Sequence, residues 1–364
     1  MISRVAAAYA AAYWVPFSLV TYVANIEPPD AARPDGMAQS AANNPLEGEM
    51  TSEVDLAVAK GLSALAREQN ADGSFGGSQF GRNVAVTSIA CLAFMADGNL
   101  PGRGAYGEVV SKGLDYVLAN CSESGLVATP NASNPMYGHG FATLFLGEAY
   151  GMTQGGGETP QSDRLYRALL RAVQLIERSQ NDEGGWRYNP VAADADVSVT
   201  ICQIMALRSA RNAGLDVSKK VIDRAVQYVR TLQNPDGGFR YQMMTGPSAW
   251  PRSAAGVASL YYAGIYEDQA IDSGLTYLKA HAMPGRAENQ AIHFFYGHYY
   301  AVQAMFLAGG EHWAKWWPAV RGVLLRLQGP NGKWDDSSAG EEYGTGMALI
   351  ILQMPKRYLP IFQK

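Results

Sequence analysis

Four side chains able to move protons stand close to the start of apolar runs: His139, Asp194, Asp196 and His298. A carboxyl group shielded from water titrates nearer neutrality than a free one, and an imidazole titrates there unaided. Hydroxyls and rings lie in the same stretches: Tyr137, Phe141, Phe145, Ser198, Thr200, Tyr261, Tyr262, Phe295, Tyr296, Tyr299, Tyr300, Tyr343 and Thr345. Gathered in one cavity, they would enclose a large apolar ligand and offer it a few polar groups. Each also has a plainer role. Asp196 precedes the run Val197 to Leu207 and suits a helix N-cap that accepts from the amide of Ser198 or Val199. Either histidine can bond neighbouring backbone, and any single ring can fill a core.

Their convergence depends on a repeat. Gln69-Asn-Ala-Asp-Gly-Ser-Phe75, Gln180 to Trp186, Gln233 to Phe239 and Gln328 to Trp334 share glutamine, a polar turn with glycine, then an aromatic residue. Weaker copies that end at Cys121 and Ala282 fill the gaps and make six units. Each unit opens with a one-sided helix such as Arg171 to Arg178, whose Val173, Leu175 and Ile176 share a face. The glycine turn stops it. A nearly uncharged helix follows: Val84 to Met95, Gly140 to Tyr150, Val197 to Leu207, Ala254 to Tyr262, Phe294 to Leu307 and Gly346 to Leu352. Helices apolar all round are buried. Six amphipathic outer helices alternating with six buried inner ones predict an all-α, (α/α)6 toroid over residues 52–364.

Ahead of the toroid, residues 5–26 carry no charge and are long enough to cross a bilayer. Residues 1–26 are therefore expected to be a signal peptide or a membrane anchor, with an extra packed helix as the alternative. Residues 27–51, with four prolines, are expected to form a flexible linker. This implies an exported or membrane-anchored protein. The net charge is −4, and the 29 Lys and Arg are dispersed, so there is no basic stripe for a nucleic-acid backbone. The three cysteines lack metal-site spacing and read as small core residues.

The four glutamine-turn-aromatic segments resemble the repeat of the squalene and terpenoid cyclases and of the protein prenyltransferase β subunits. In the cyclases this repeat ties outer helices together and carries no chemistry. Equivalent units would bring the start of every inner helix to one rim, and Tyr137-Gly138-His139-Gly140, Tyr296-Gly297-His298-Tyr299 and Tyr343-Gly344-Thr345-Gly346 are expected to open three of them. Counted from the helix bodies, Asp196 falls level with His139 and His298, so the three are expected at one cavity mouth.

Resemblance to the class II cyclases implies an Asp-x-Asp-Asp motif whose middle acid protonates an isoprenoid alkene or epoxide. Aligned through Thr200, Asp196 takes the first place, Ser198 replaces the proton donor and Val199 the third acid. Aligned through Asp194 and Asp196, the latter becomes the middle acid with Val197 beside it. Resemblance to the prenyltransferases implies a zinc site, but Tyr296, His298 and Gly344 stand at its Asp, Cys and His positions. Neither metal nor other cofactor is expected. The reading is a toroid holding an isoprenoid-like ligand, with acid chemistry resting on Asp196. The alternatives are an exported polysaccharide lyase or glycosidase using Asp194, Asp196, Glu341 and Glu342, and a non-catalytic binding or scaffold toroid.

Overall fold

The computed structural model describes residues 48–77, 80–153, 159–285 and 293–363. The apolar run at residues 5–26 and the linker as far as residue 47 lie outside the described residues. Twelve α-helices and no strand beyond isolated bridges occur among the described residues. The odd-numbered helices are α1 (Ser52–Arg67), α3 (Gly107–Ala119), α5 (Pro160–Ser179), α7 (Lys219–Thr231), α9 (Gln269–His281) and α11 (Gly310–Leu327). Between them run α2 (Val84–Met95), α4 (Pro135–Thr153), α6 (Val197–Asn212), α8 (Trp250–Tyr262), α10 (Phe294–Ala308) and α12 (Glu341–Leu352).

The even-numbered helices form a closed inner ring: each packs on the next, and α12 packs back on α2. Their composition explains this, since in α2 every residue except Ala85 is buried. The odd-numbered helices bury one stripe, as α5 does with Leu165, Leu169, Val173 and Ile176, and lie outside. Helix α1 packs against α12 and α11, which closes the outer ring. The toroid expected from the repeats is the observed fold.

The repeat residues do the joining. Gln69 Nε2 donates to Gly73 O of its own turn (3.0 Å) and to Val109 O of α3 (2.8 Å). Gln180 reaches Val221 O of α7, Gln233 reaches Ala270 O of α9, and Gln328 reaches Ala57 O of α1. The repeat aromatics Phe75, Trp186, Phe239 and Trp334 are fully buried between the rings. Burying a side chain of that size contributes roughly 1.5–3 kcal/mol.

The turn glycines are held by conformation and by space. Gly184 has φ +99, and a Cβ built on it would stand 2.3 Å from Arg224 O of the next outer helix. An L-residue in that region is strained by roughly 1–2 kcal/mol before any clash. Gly184→Ala is therefore expected to lower stability by about 2 kcal/mol or more, read as a reduced urea midpoint with unchanged slope.

Beyond α12, short 3-10 turns at Met354–Lys356 and Pro360–Phe362 carry the chain beneath the inner ring, where Leu359, Ile361 and Phe362 are buried. The amide of Ile361 donates to Glu148 Oε2 of α4 (3.0 Å), and Ser209 Oγ of α6 donates to Glu148 Oε1 (2.7 Å).

Candidate functional site

The first turns of all six inner helices surround one cavity of about 880 Å³. Inner helices run the same way in such a ring, so their N-terminal ends, and the positive ends of their dipoles, gather at one end. The helices start earlier than their apolar runs suggest: α4 begins at Pro135, α8 at Trp250 and α12 at Glu341. Those extra turns bring Tyr137 and Tyr343 to the cavity wall, where Phe141, Ser198 and Tyr296 join them from within the runs, together with Val84, Val86 and Ile89 of α2.

Asp196 lies directly behind this wall. It is the N-cap of α6: its Oδ1 accepts from Ser198 N (2.8 Å) and Val199 N (2.9 Å). The other oxygen, Oδ2, faces Arg187 Nε at 3.3 Å. The carboxyl is wholly buried. Burial raises its pKa to about 6 against the lowering effect of the two amides and of Arg187. Asp194 is a different group, exposed and paired with Arg187 in a shallow surface pocket with Asn189, Val191 and Ala193. Ser198 lines the cavity and Asp196 does not. With Thr200 as the reference, the place of the resembled proton donor is therefore held by a hydroxyl.

The structure does not bring His139 and His298 to the position of Asp196. Asp196 is the N-cap of α6, whereas His139 and His298 lie inside α4 and α10, which begin at Pro135 and Phe294, so the comparison slips by about one turn. His139 is the equivalent of Thr200. In five units the amide of the turn residue donates to an inner-helix side chain: Phe75 to Thr87, Val127 to His139, Trp186 to Thr200, Phe239 to Ser253 and Trp334 to Thr345. Because His139 Nδ1 accepts there, Nε2 carries the hydrogen and donates to Ala172 O of α5 (3.2 Å). Burial holds this imidazole neutral, lowering its pKa to about 4. His298 packs between the rings of Trp250, Phe294 and Trp316, and burial lowers it to about 3. Both histidines, with Thr200 and Thr345, join the inner ring to the layer outside it.

Other residues expected in the cavity pack within the ring. Phe145, Tyr261, Phe295 and Tyr299 are buried and absent from the cavity wall. The Tyr262 hydroxyl donates to Gln303 Oε1, and the Tyr300 hydroxyl lies 3.4 Å from Cys202 Sγ.

Residues outside the expected set also reach the cavity from the loops ahead of the inner helices and from the first turn of α8. Phe80, Arg82, Asn83, Tyr188, Tyr241 and Arg252 all line the cavity. The hydroxyls of Tyr188 and Tyr241 hydrogen-bond across two loops. The Arg187 guanidinium lies 4.6 Å from the Tyr188 ring centre and 5.7 Å from that of Tyr241. A signal existed: Trp186-Arg187-Tyr188 and Phe239-Arg240-Tyr241 are the same triplet in two adjacent units.

No family model matches the chain. Drimenyl diphosphate synthase of Streptomyces showdoensis is 29% identical over 191 residues, which are 50% of this chain and 32% of that protein. The chain thus spans about a third of that relative's length. Among solved structures, the type II terpene cyclase MstE of Scytonema superposes with a TM-score of 0.57 at 15% identity, over 85% of this chain and 100% of its own. The GH76A α-1,6-mannanase of Salegentibacter sp. HEL1_6 gives 0.60 at 8% identity, over 82% and 98%. D-mannose isomerase gives 0.61 at 12% identity, over 85% and 98%. At such identities the likeness is one of fold, an α/α toroid that the chain shares with the cyclase, the mannanase and the isomerase alike.

Proposed function

We propose that this terpenoid-cyclase-like toroid binds a large, mostly apolar, isoprenoid-like ligand in its central cavity. One observation carries the reading: a cavity of about 880 Å³ walled by Phe80, Tyr137, Phe141, Tyr188, Tyr241, Tyr296 and Tyr343 with aliphatic side chains of α2 between them. That size and lining suit a ligand of drug-like bulk or larger, held by ring faces and oriented by a few hydroxyls.

Acid-initiated cyclisation is the finer form of this reading, and Asp196 is the carboxyl that would supply it. Its raised pKa and its place two residues ahead of Ser198 support a proton source. Its cap bonds and its separation from the cavity support a structural role. The sugar-processing alternative has the fold likeness to the mannanase in its favour. Glycoside hydrolysis by paired acids needs two carboxylates flanking the bond, and no carboxylate is among the described residues of the wall.

The test is thermal stabilisation by farnesol or geranylgeraniol compared with manno-oligosaccharides, since a ligand of the native state raises the melting temperature in a concentration-dependent way. A shift of several degrees with the isoprenoids and none with the sugars is expected. The reverse pattern would replace this reading with the sugar-processing one.

A further inference from the structure

We propose that residues 358–363 form a proton-coupled latch on the inner ring, docked while Glu148 carries a proton and released when it ionises. The latch lies at the end of the ring away from the cavity, and it does not depend on what the cavity holds. Leu359, Ile361 and Phe362 are buried, and the Pro360–Phe362 turn packs on α4 and α6. Among the described residues, one hydrogen bond ties the segment to the ring, from Ile361 N to Glu148 Oε2 (3.0 Å). Its other bonds reach no further than Arg357: Phe362 N to Leu359 O, Gln363 N to Pro360 O and Gln363 Nε2 to Arg357 O. Arg357, from which the segment hangs, is exposed and stands at φ +56, an uncommon conformation for a residue with a side chain.

The bonding around Glu148 has room for one hydrogen more than the ionised form supplies. Ser209 Oγ lies 2.7 Å from Glu148 Oε1 and 3.2 Å from Leu144 O, two acceptors for a hydroxyl with one hydrogen. With Glu148 ionised, the hydroxyl serves one of them. With a proton on Oε1, the carboxyl donates to Ser209, Ser209 donates to Leu144 O, and Oε2 still accepts from the Ile361 amide. The neutral carboxyl therefore completes the docked arrangement, while the ionised one is a buried charge that no described cation pairs with. Burial raises its pKa to about 7 in keeping with this.

The surroundings hold no competing switch. Tyr262 of α8 and Tyr299 of α10 face Glu148 with phenols that burial keeps neutral, and Arg208 of α6 acts on Tyr262. Ahead of the segment, Lys356 is paired with Asp97, and the Arg357 guanidinium lies 4.9 Å from the Phe306 ring centre. Release gives Glu148 to water, where its pKa returns towards 4.5. Docking is then strongest below pH 4.5, weakens as pH rises through 7, and levels off above. Between pH 5.5 and pH 8 those two values correspond to a fall of roughly thirtyfold in the docking constant.

Trypsin reads the released population, because bonds next to a transiently opened segment are cut in proportion to it. The full chain is digested briefly from pH 5.5 to pH 8, cutting after Lys356 and Arg357 is followed by mass spectrometry, and each rate is divided by that of a free peptide of residues 353–363. The corrected rate at these two bonds is expected to rise about thirtyfold across the range, with other tryptic bonds unchanged. In Glu148→Gln the amide nitrogen donates to Ser209 and the oxygen accepts from Ile361, as in the protonated acid, so its rate should stay flat at the wild-type value for pH 5.5. Should that variant fail to fold, the wild-type profile decides. A wild-type rise of less than threefold, the same rise in Glu148→Gln, or an equal rise at every tryptic bond would overturn the latch.

Discussion

Glu148→Gln is expected to raise stability at pH 8 by about 3 kcal/mol and to leave it nearly unchanged at pH 5. Glu148 is buried inside the inner ring with only Ser209 Oγ and the Ile361 amide as partners. Burial outweighs those two bonds and raises its pKa from 4.5 to about 7. A carboxyl whose folded pKa lies above its unfolded one stabilises the fold while protonated and loses that contribution as pH rises through the folded value. Each pKa unit is worth about 1.4 kcal/mol, so a shift of this size gives the figure above. Glutamine keeps an oxygen for Ile361 and never ionises. The acid side is governed by other groups. His139 and His298 have folded pKa values of about 4 and 3, so they favour the fold above pH 6.5 and oppose it increasingly as pH falls. In the wild type these trends offset Glu148 and Asp196 between about pH 4.5 and 6.5. Urea titrations of both proteins at pH 5 and pH 8 measure the difference. An equal effect of the substitution at both pH values would show that the carboxyl does not titrate as its burial requires.

The architecture was legible because it repeats. A glutamine and a glycine that contact the next outer helix must recur in each unit joined this way, and their spacing exposes the ring. Where a unit bonds differently the pattern fades: Cys121 holds the place of the glutamine in the second unit, while His139 still receives the turn amide there. The site was less legible for a geometric reason. Apolar runs mark where an inner helix is enclosed by neighbours, but α4, α8 and α12 begin about one turn earlier, in residues that reach the cavity. Phe141 and Tyr137 were found since they sit next to such a run. Tyr188 and Tyr241 escape notice because their loops carry no periodicity, and Arg252 because it lies in the first turn of α8 ahead of the apolar run; what gathers them is the closure of the ring. Asp196 was recognised correctly as a cap candidate, because Asp ahead of an apolar helix is a local signal. Its separation from the cavity by Ser198 is a matter of side-chain direction, and spacing alone leaves two alignments open.

Asp196 and Ser198 should therefore respond in opposite ways to substitution. Asp196→Ala removes the acceptor for two helix amides, which costs about 0.5–2 kcal/mol for a cap, and leaves Arg187 with Asp194 as its remaining partner. Asp196→Asn keeps an oxygen for those amides. Because burial raises the folded pKa to about 6 from 3.8, the ionised carboxyl is disfavoured in the fold, and wild-type stability falls as pH rises through 6. The asparagine variant is thus expected to exceed the wild type by about 1.5 kcal/mol at pH 5 and by about 3 kcal/mol at pH 8, with alanine less stable than asparagine at both. Neither change touches the cavity wall, so both variants should keep the wild-type thermal shift with whichever prenyl probe binds. Ser198→Phe should do the reverse, since its side chain enters the cavity from the first turn of α6: nearly unchanged urea stability, and a ligand-induced shift reduced severalfold. Loss of the ligand shift in Asp196→Asn with folding intact would mean that the carboxyl reaches the ligand, and Asp196 would then stand as the acid of the site.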